Sequence, residues 1–170
     1  MRALLFDWSD VEEKLTNIDV VFFCLGVSSG GMSEADYTRL SYDLPMGVAR
    51  VLKKTSPGLT FCFISGAGTN ANSKTMWARV KGRTEVELQQ LRFKAVYCFR
   101  PGYIQPMDGI VSKTPSYRLM YTFLGPLYPL FRGFKGSVTS TQQLGFAMVK
   151  VGLNGYPRPI LESAEINAVV

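Results

Sequence analysis

The stretch Met76-Trp77-Ala78-Arg79-Val80-Lys81-Gly82 decides how the rest of this chain is read. Trp77 and Lys81 stand four residues apart, so they share one face of a helix. Val80, Thr84, Leu88 and Leu91 extend that helix along a face. Before it, Leu59 to Ile64 is a continuous apolar run, read as a buried strand, and Ser65 to Asn72 is a loop of Gly, Ser, Asn and Thr. After it, Ala95 to Phe99 is another buried strand, closed by Arg100-Pro101-Gly102. Strand, helix and strand of these lengths make a right-handed parallel unit.

The pattern repeats outward. Asp19-Val20-Val21-Phe22-Phe23-Cys24-Leu25-Gly26 is an apolar run ended by glycine, read as a strand buried on both faces. Gly26 to Gly31 is a loop of small residues. Ser33 with Asp36 resembles a capping box and starts a helix through Tyr37, Leu40, Leu44, Val48, Val51 and Leu52. Pro45 is expected to kink this helix and Pro57-Gly58 to end it. Toward the C-terminus, Pro101 to Gly136 is rich in aromatics and proline, with a short helix expected from Pro115 to Leu124. Thr139 with Gln142 can cap a last helix with the face Leu144, Ala147, Met148 and Val151, and Pro159 to Leu161 reads as a short final strand. No repeat or linker interrupts the pattern. The expected fold is a single α/β domain over residues 1–170, a three-layer α/β/α sandwich with a mainly parallel sheet.

Composition narrows the chemistry. The chain has 170 residues, 46% of them hydrophobic, which suffices for one domain with a true core. The net charge of +6 is scattered, with a mild cluster at Arg79, Lys81 and Arg83. Without a basic stripe or a nucleic-acid motif, an anionic cofactor fits this balance better than nucleic acid does. The sequence holds no histidine, which removes Ser-His and Cys-His catalysis and His-ligated metals. Cys24, Cys62 and Cys98 lie in apolar runs with no zinc-like spacing, so they read as reduced core cysteines of a cytoplasmic protein and no metal is expected. Met1 to Phe6 shows no signal peptide, and the apolar run near Leu119 to Phe131 is short and broken by Gly125, Pro126 and Pro129.

A serine after one strand, aromatic-x-x-x-Lys on the next helix and Arg-Pro-Gly after the next strand together resemble the short-chain dehydrogenase/reductase superfamily. The resemblance is best to its atypical, epimerase/dehydratase-like branch, near the Tat-interacting oxidoreductases, and covers the chain from about Asp7 to its end. It implies a Rossmann-like NAD(P)-binding domain, hydride transfer to or from a small carbonyl or alcohol, and NADP somewhat ahead of NAD. It places Ser65 at the substrate oxygen and Lys81 at the cofactor ribose. Leu25 and Gly26 fall at a cofactor-side strand end, and Arg100, Pro101, Gly102 and Tyr103 beside the nicotinamide.

Two departures stand out. The family's acid/base is a tyrosine at the position of Trp77, and an indole N–H only donates and does not ionise usefully. The family also opens with a strand, a glycine-rich turn and a helix that cradle the pyrophosphate. No G-x-x-G-x-x-G precedes Asp19, and Leu4 stands where an adenine-contacting acid is usual. The sheet is therefore expected to be N-terminally incomplete by about 50–60 residues, the length of roughly two βα units. The strand at Asp19–Leu25 would then have a bare apolar edge, prone to dimerise or aggregate.

Each candidate has a plainer reading. Ser65 can brace its loop, and Lys81 can be a solvated helix lysine. Trp77 serves equally as core or as a ring stacked on the nicotinamide or substrate. Gly26 and Gly102 are natural turn glycines, the Gly30-Gly31 pair is a weak phosphate signal, and Tyr103 is a remote substitute acid. The aromatic segment 117–134 suits a substrate-side lid or a core helix better than a membrane surface or protein partner. A rival to the reductase is thus a non-catalytic nucleotide-binding or partner- or membrane-associated module.

Overall fold

A computed structural model describes residues 8, 12–107 and 136–170. The expected helix at Pro115–Leu124 and the 117–134 segment lie outside the described residues. In chain order the elements are β1 (Val20–Phe23), α1 (Glu34–Thr38), a π-helical turn (Arg39–Asp43), α2 (Leu44–Thr55), β2 (Thr60–Ile64), α3 (Met76–Gln90), β3 (Ala95–Arg100), β4 (Tyr103–Gln105), β5 (Val138–Ser140), α4 (Thr141–Asn154), β6 (Ile160–Glu162) and α5 (Ser163–Val169).

The main sheet has the order β1-β2-β3-β6, with every pairing parallel. Side chains alternate across it. Val21, Phe23, Phe61, Phe63, Val96 and Cys98 face one core with Tyr37, Met46, Leu52 and Leu88. Cys62, Tyr97, Phe99 and Leu161 face the other with Leu144, Ala147, Met148, Val151 and Ile166. The chain is therefore an α/β fold of three layers, α/β/α, around a parallel sheet, as its apolar runs predict.

Several local expectations need correction. The first strand is only Val20–Phe23 and is not buried on both faces, since Phe22 is 39% exposed. Its position at the sheet edge is the reason: among the described residues it pairs with β2 alone. Cys24 lies past the strand end and is exposed, so it is not a core cysteine, whereas Cys62 and Cys98 are buried. The first helix is interrupted by the π-helical turn rather than at Pro45, which sits in the first turn of α2, where a missing N–H costs nothing. The cap of α4 lies one residue later than expected: Ser140 and Gln143 form the capping box. That helix is not the last, because Glu162 and Glu165 cap the further helix α5. The small parallel pair β4–β5 had no legible pattern, being three residues a side.

Candidate functional site

Parallel strands β1, β2 and β3 end on the same rim, and the chain leaves that rim in three loops. Between them lies a cleft of about 420 Å³. Ser65, Gly66 and Ala67 come from the loop after β2, Trp77 and Lys81 from α3, and Pro101 and Gly102 from the turn after β3. The open rim of a parallel sheet is where such folds bind ligands.

Ser65 is held tightly. Its N–H donates to the Phe99 carbonyl at 2.7 Å, which ties the loop to β3. Its hydroxyl lies 3.0 Å from the Thr69 hydroxyl. Thr69 donates its own proton to the Gly66 carbonyl at 2.7 Å. The hydroxyl proton of Ser65 is therefore the one shared with Thr69, and its lone pairs remain to accept.

Lys81 reaches back over the end of β2. Its ammonium donates to the carbonyls of Ile64 at 3.2 Å and Ser65 at 3.1 Å, and lies 5.7 Å from the centre of the Phe63 ring. Among the described residues it has no carboxylate at salt-bridge distance. Burial pushes the amine from 10.5 down to about 8, and Glu85, one turn along α3, pulls weakly the other way. The folded chain thus binds fewer protons than the unfolded chain between about pH 8 and 10.5, and this group's contribution to stability rises with pH across that window. Acetic anhydride labelling followed by peptide mapping is expected to modify Lys81 with a midpoint near pH 8. A midpoint in the range of surface lysines would contradict this environment.

Trp77 stands over the loop after β2: a methyl group placed on Gly66 would lie 3.6 Å from the indole, and one on Gly68 would lie 3.9 Å away. The ring lines the cleft and is also partly packed against the core. Gly102 is required by its surroundings, because a Cβ there would meet the Ser137 carbonyl oxygen at 2.4 Å. Its N–H donates to the Ser163 hydroxyl at 2.8 Å, which fixes the turn after β3 to the start of α5.

Four sequence candidates sit elsewhere. Leu25 and Gly26 line a separate narrow crevice, which shares Lys81 with the cleft. Arg100 does not line the cleft. Its guanidinium donates to Glu85, through Nε at 3.0 Å, and to Glu162 through Nη1 at 3.2 Å. These carboxylates, Glu85 above all, hold its pKa further above the ordinary arginine value. An arginine after a strand reads the same in sequence whether it faces a ligand or a buried carboxylate. Tyr103 is also outside the cleft lining; its hydroxyl donates to Gln105 Oε1 at 2.9 Å.

Sequence reasoning missed Val27, Ser28, Ser29 and Ile104 as cleft residues, and placed Tyr37 only in the core. Tyr37 is 2% exposed, yet it lines the cleft wall. Its helical spacing carried the core signal alone, because one side chain can serve both. Among the described residues no group of side chains is arranged to hold a metal. No helix among them is long and apolar enough to cross a membrane.

No protein-family model matches the chain. Curated relatives do, among them these two. Protein FMP52-2, mitochondrial, of Scheffersomyces stipitis is 31% identical over 99 residues, which are 57% of this chain and 43% of that protein. Protein HTATIP2 of Rattus norvegicus is 29% identical over 86 residues, 51% of this chain and 35% of that protein. The chain therefore spans less than half the length of both. Among solved structures, the Bordetella bronchiseptica enzyme WbmG in complex with NAD matches 95% of this chain and 56% of its own, with a TM-score of 0.63 and 14% identity. A short chain dehydrogenase family protein from Francisella tularensis matches 89% of this chain and 71% of its own, with a TM-score of 0.54 and 12% identity. The chain has the fold of short-chain dehydrogenase/reductase proteins and is related in sequence to HTATIP2 and FMP52.

Proposed function

We propose that residues 1–170 form a single, partial NAD(P)-binding domain and that this cleft receives the nicotinamide half of a dinucleotide. The observation that supports this best is the meeting of Ser65, Trp77, Lys81, Pro101 and Gly102 around one cleft at the strand ends. The likeness to a structure solved with NAD points the same way. The residues fit a ring and a ribose. Trp77 offers a flat aromatic face and Ile104 apolar surface, and Lys81 carries N–H groups beside the Ser65 carbonyl. Among the described residues nothing offers a glycine-rich cradle for the pyrophosphate. Leu25 and Gly26 stand outside the cleft, and Arg100 and Tyr103 act indirectly, by fixing the turn that carries Pro101 and Gly102.

A bound nicotinamide would supply hydride exchange with a small carbonyl or alcohol. The chain's own residues position the partners. Lys81 donates to the ribose, Ser65 accepts from a substrate hydroxyl, and Trp77 walls the cleft. Tyr37 is the phenol we assign to proton transfer in place of residue 77, since Tyr103 lies outside the cleft lining. NADP is favoured over NAD by the basic balance alone.

The alternative reading is a nucleotide-binding module without turnover. Trp77 favours it, because an indole does not ionise usefully, and so does the commitment of the Ser65 proton to Thr69. Titration calorimetry with NADPH and NADH separates the possibilities. Binding that disappears in Lys81→Ala is expected, and absence of binding would overturn the cofactor assignment. Turnover of a carbonyl panel that is created or raised by Trp77→Tyr would identify a reductase scaffold. Binding with no turnover in either form would identify the module.

A further inference from the structure

Among the described residues Lys81 is the one amine on the cleft wall, and no carboxylate shares that wall with it. A buried cation is ordinarily matched by an anion. The acid nearest along α3, Glu85, is gripped by Arg100 through both of its oxygens. Tyr37 is the other titratable side chain among the described cleft residues, and a phenol supplies no countercharge at neutral pH. Burial therefore favours the uncharged amine.

The contacts of Lys81 suit that form. A neutral amine has two N–H groups and one lone pair. The carbonyls of Ile64 and Ser65, at 3.2 Å and 3.1 Å, take the two N–H groups. The lone pair is left over, at the wall of a cleft of about 420 Å³. An ammonium would have a third N–H to place. The Phe63 ring centre is 5.7 Å away, near the outer limit of a cation–π contact. The rest of the wall accommodates an apolar body: Trp77 stands one turn earlier on the same face of α3, with Ile64, Pro101 and Ile104 around it.

The geometry points to Lys81 as a nucleophile that captures aldehydes in this cleft as a reversible imine. Desolvated lysines of this kind are the ones that condense with carbonyls. The nitrogen bonds the aldehyde carbon while one N–H proton passes to the oxygen, giving a carbinolamine. Ser65, whose lone pairs are free to accept, receives the hydrogen bond of that new hydroxyl. The C–O bond then breaks, and the second N–H proton leaves with the hydroxyl as water. No oxidant or reductant is consumed, and hydrolysis reverses the path. A protonated imine keeps one N–H for a backbone carbonyl. An amine with two sides already occupied admits an unhindered carbonyl, hence an aldehyde before a ketone. The inference needs only the cleft and its amine and does not rest on the dinucleotide assignment; Lys81 serves one partner at a time, a ribose or an aldehyde.

Reductive trapping on the whole chain tests it. Benzaldehyde with cyanoborohydride near neutral pH turns any imine into a stable benzylamine, which peptide mapping locates. The expected result is a first adduct at Lys81, formed at least about tenfold faster than at any other lysine, because a larger share of this amine is neutral. Lys81→Arg is expected to leave only slow, scattered labelling. The map of the parent chain needs no variant, so the test stands even where Lys81→Arg fails to fold. Labelling of Lys81 no faster than that of surface lysines would overturn the proposal. NADPH binding by calorimetry with no adduct at Lys81 would overturn the imine and leave the cofactor assignment in place. An adduct at Lys81 in a chain that does not bind NADPH would support the imine and remove the cofactor assignment.

Discussion

Gly82→Ala is expected to destabilise the chain by about 3 kcal/mol, the upper part of the range for an extra methyl forced into a packed site. The reason is backbone meeting backbone. A Cβ on Gly82 would fall 2.2 Å from the Ala71 nitrogen and 2.5 Å from the Asn70 carbonyl carbon. No side chain can rotate away to relieve this. The loop is moreover tied to the helix, since the Asn70 N–H donates to the Ala78 carbonyl at 3.2 Å. For a domain of this size the loss corresponds to roughly 6–12 °C in melting temperature. Gly145→Ala is the matching control. Nothing lies within 4 Å of its Cβ position, so the better helix propensity of alanine should leave stability equal or slightly higher. Thermal unfolding followed by circular dichroism distinguishes the two. Equal melting temperatures in both variants would mean that loop and helix do not meet as described.

Loss of Glu85 is the second large effect. Glu85 is 3% exposed and grips Arg100 through both carboxylate oxygens. The arginine side chain is itself only 18% exposed, and its other partner, Glu162, is 47% exposed. Glu85→Ala would leave a largely buried guanidinium with one wet partner, at a cost of about 3–5 kcal/mol. A paired change, Glu85→Leu with Arg100→Met, is expected to recover most of that stability by replacing the ion pair with packed apolar groups. If chemical denaturation shows the double variant to be no better than Glu85→Ala, the pair is not what holds α3 to β3. Glu85 also supports the charge on Lys81, so its removal should lower the midpoint of Lys81 acetylation further below its value in the parent chain.

The layers were legible because buried parallel strands announce themselves. Thr60–Ile64 and Ala95–Arg100 are apolar runs bounded by loop residues, and the face of α4 keeps helical spacing without a break. Position in the sheet was less so. The apolar run from Val20 to Leu25 looks like a central strand, yet its tail leaves the sheet and among the described residues it pairs with β2 alone. A run of apolar residues reports burial as the whole protein needs it and not who supplies it. In the site, Ser65, Trp77, Lys81, Pro101 and Gly102 line one cleft, and it was the family resemblance, not their spacing, that singled them out together. Arg100 does not, because the decisive fact is the buried carboxylate one layer away on α3. Ser28 and Ser29 reach the cleft through a loop that no periodicity encodes, and Tyr37 reaches it from α1, where its spacing carried only the core signal.

The order in which the sheet closes follows from its register. Val20 pairs with Thr60 and Thr60 with Ala95, so β1, β2 and β3 can assemble as soon as residues 20–100 have left the ribosome. The last strand is different: Ile160 must find Cys98 across a long intervening stretch. Until it does, β3 has an open side, and the Arg100 guanidinium waits for Glu162. Non-local closure of this kind is slow, since loop entropy is spent before the contact returns anything. Among the described residues β6 is thus a latch that shuts the β3 side of the sheet late, long after β1, β2 and β3 have met.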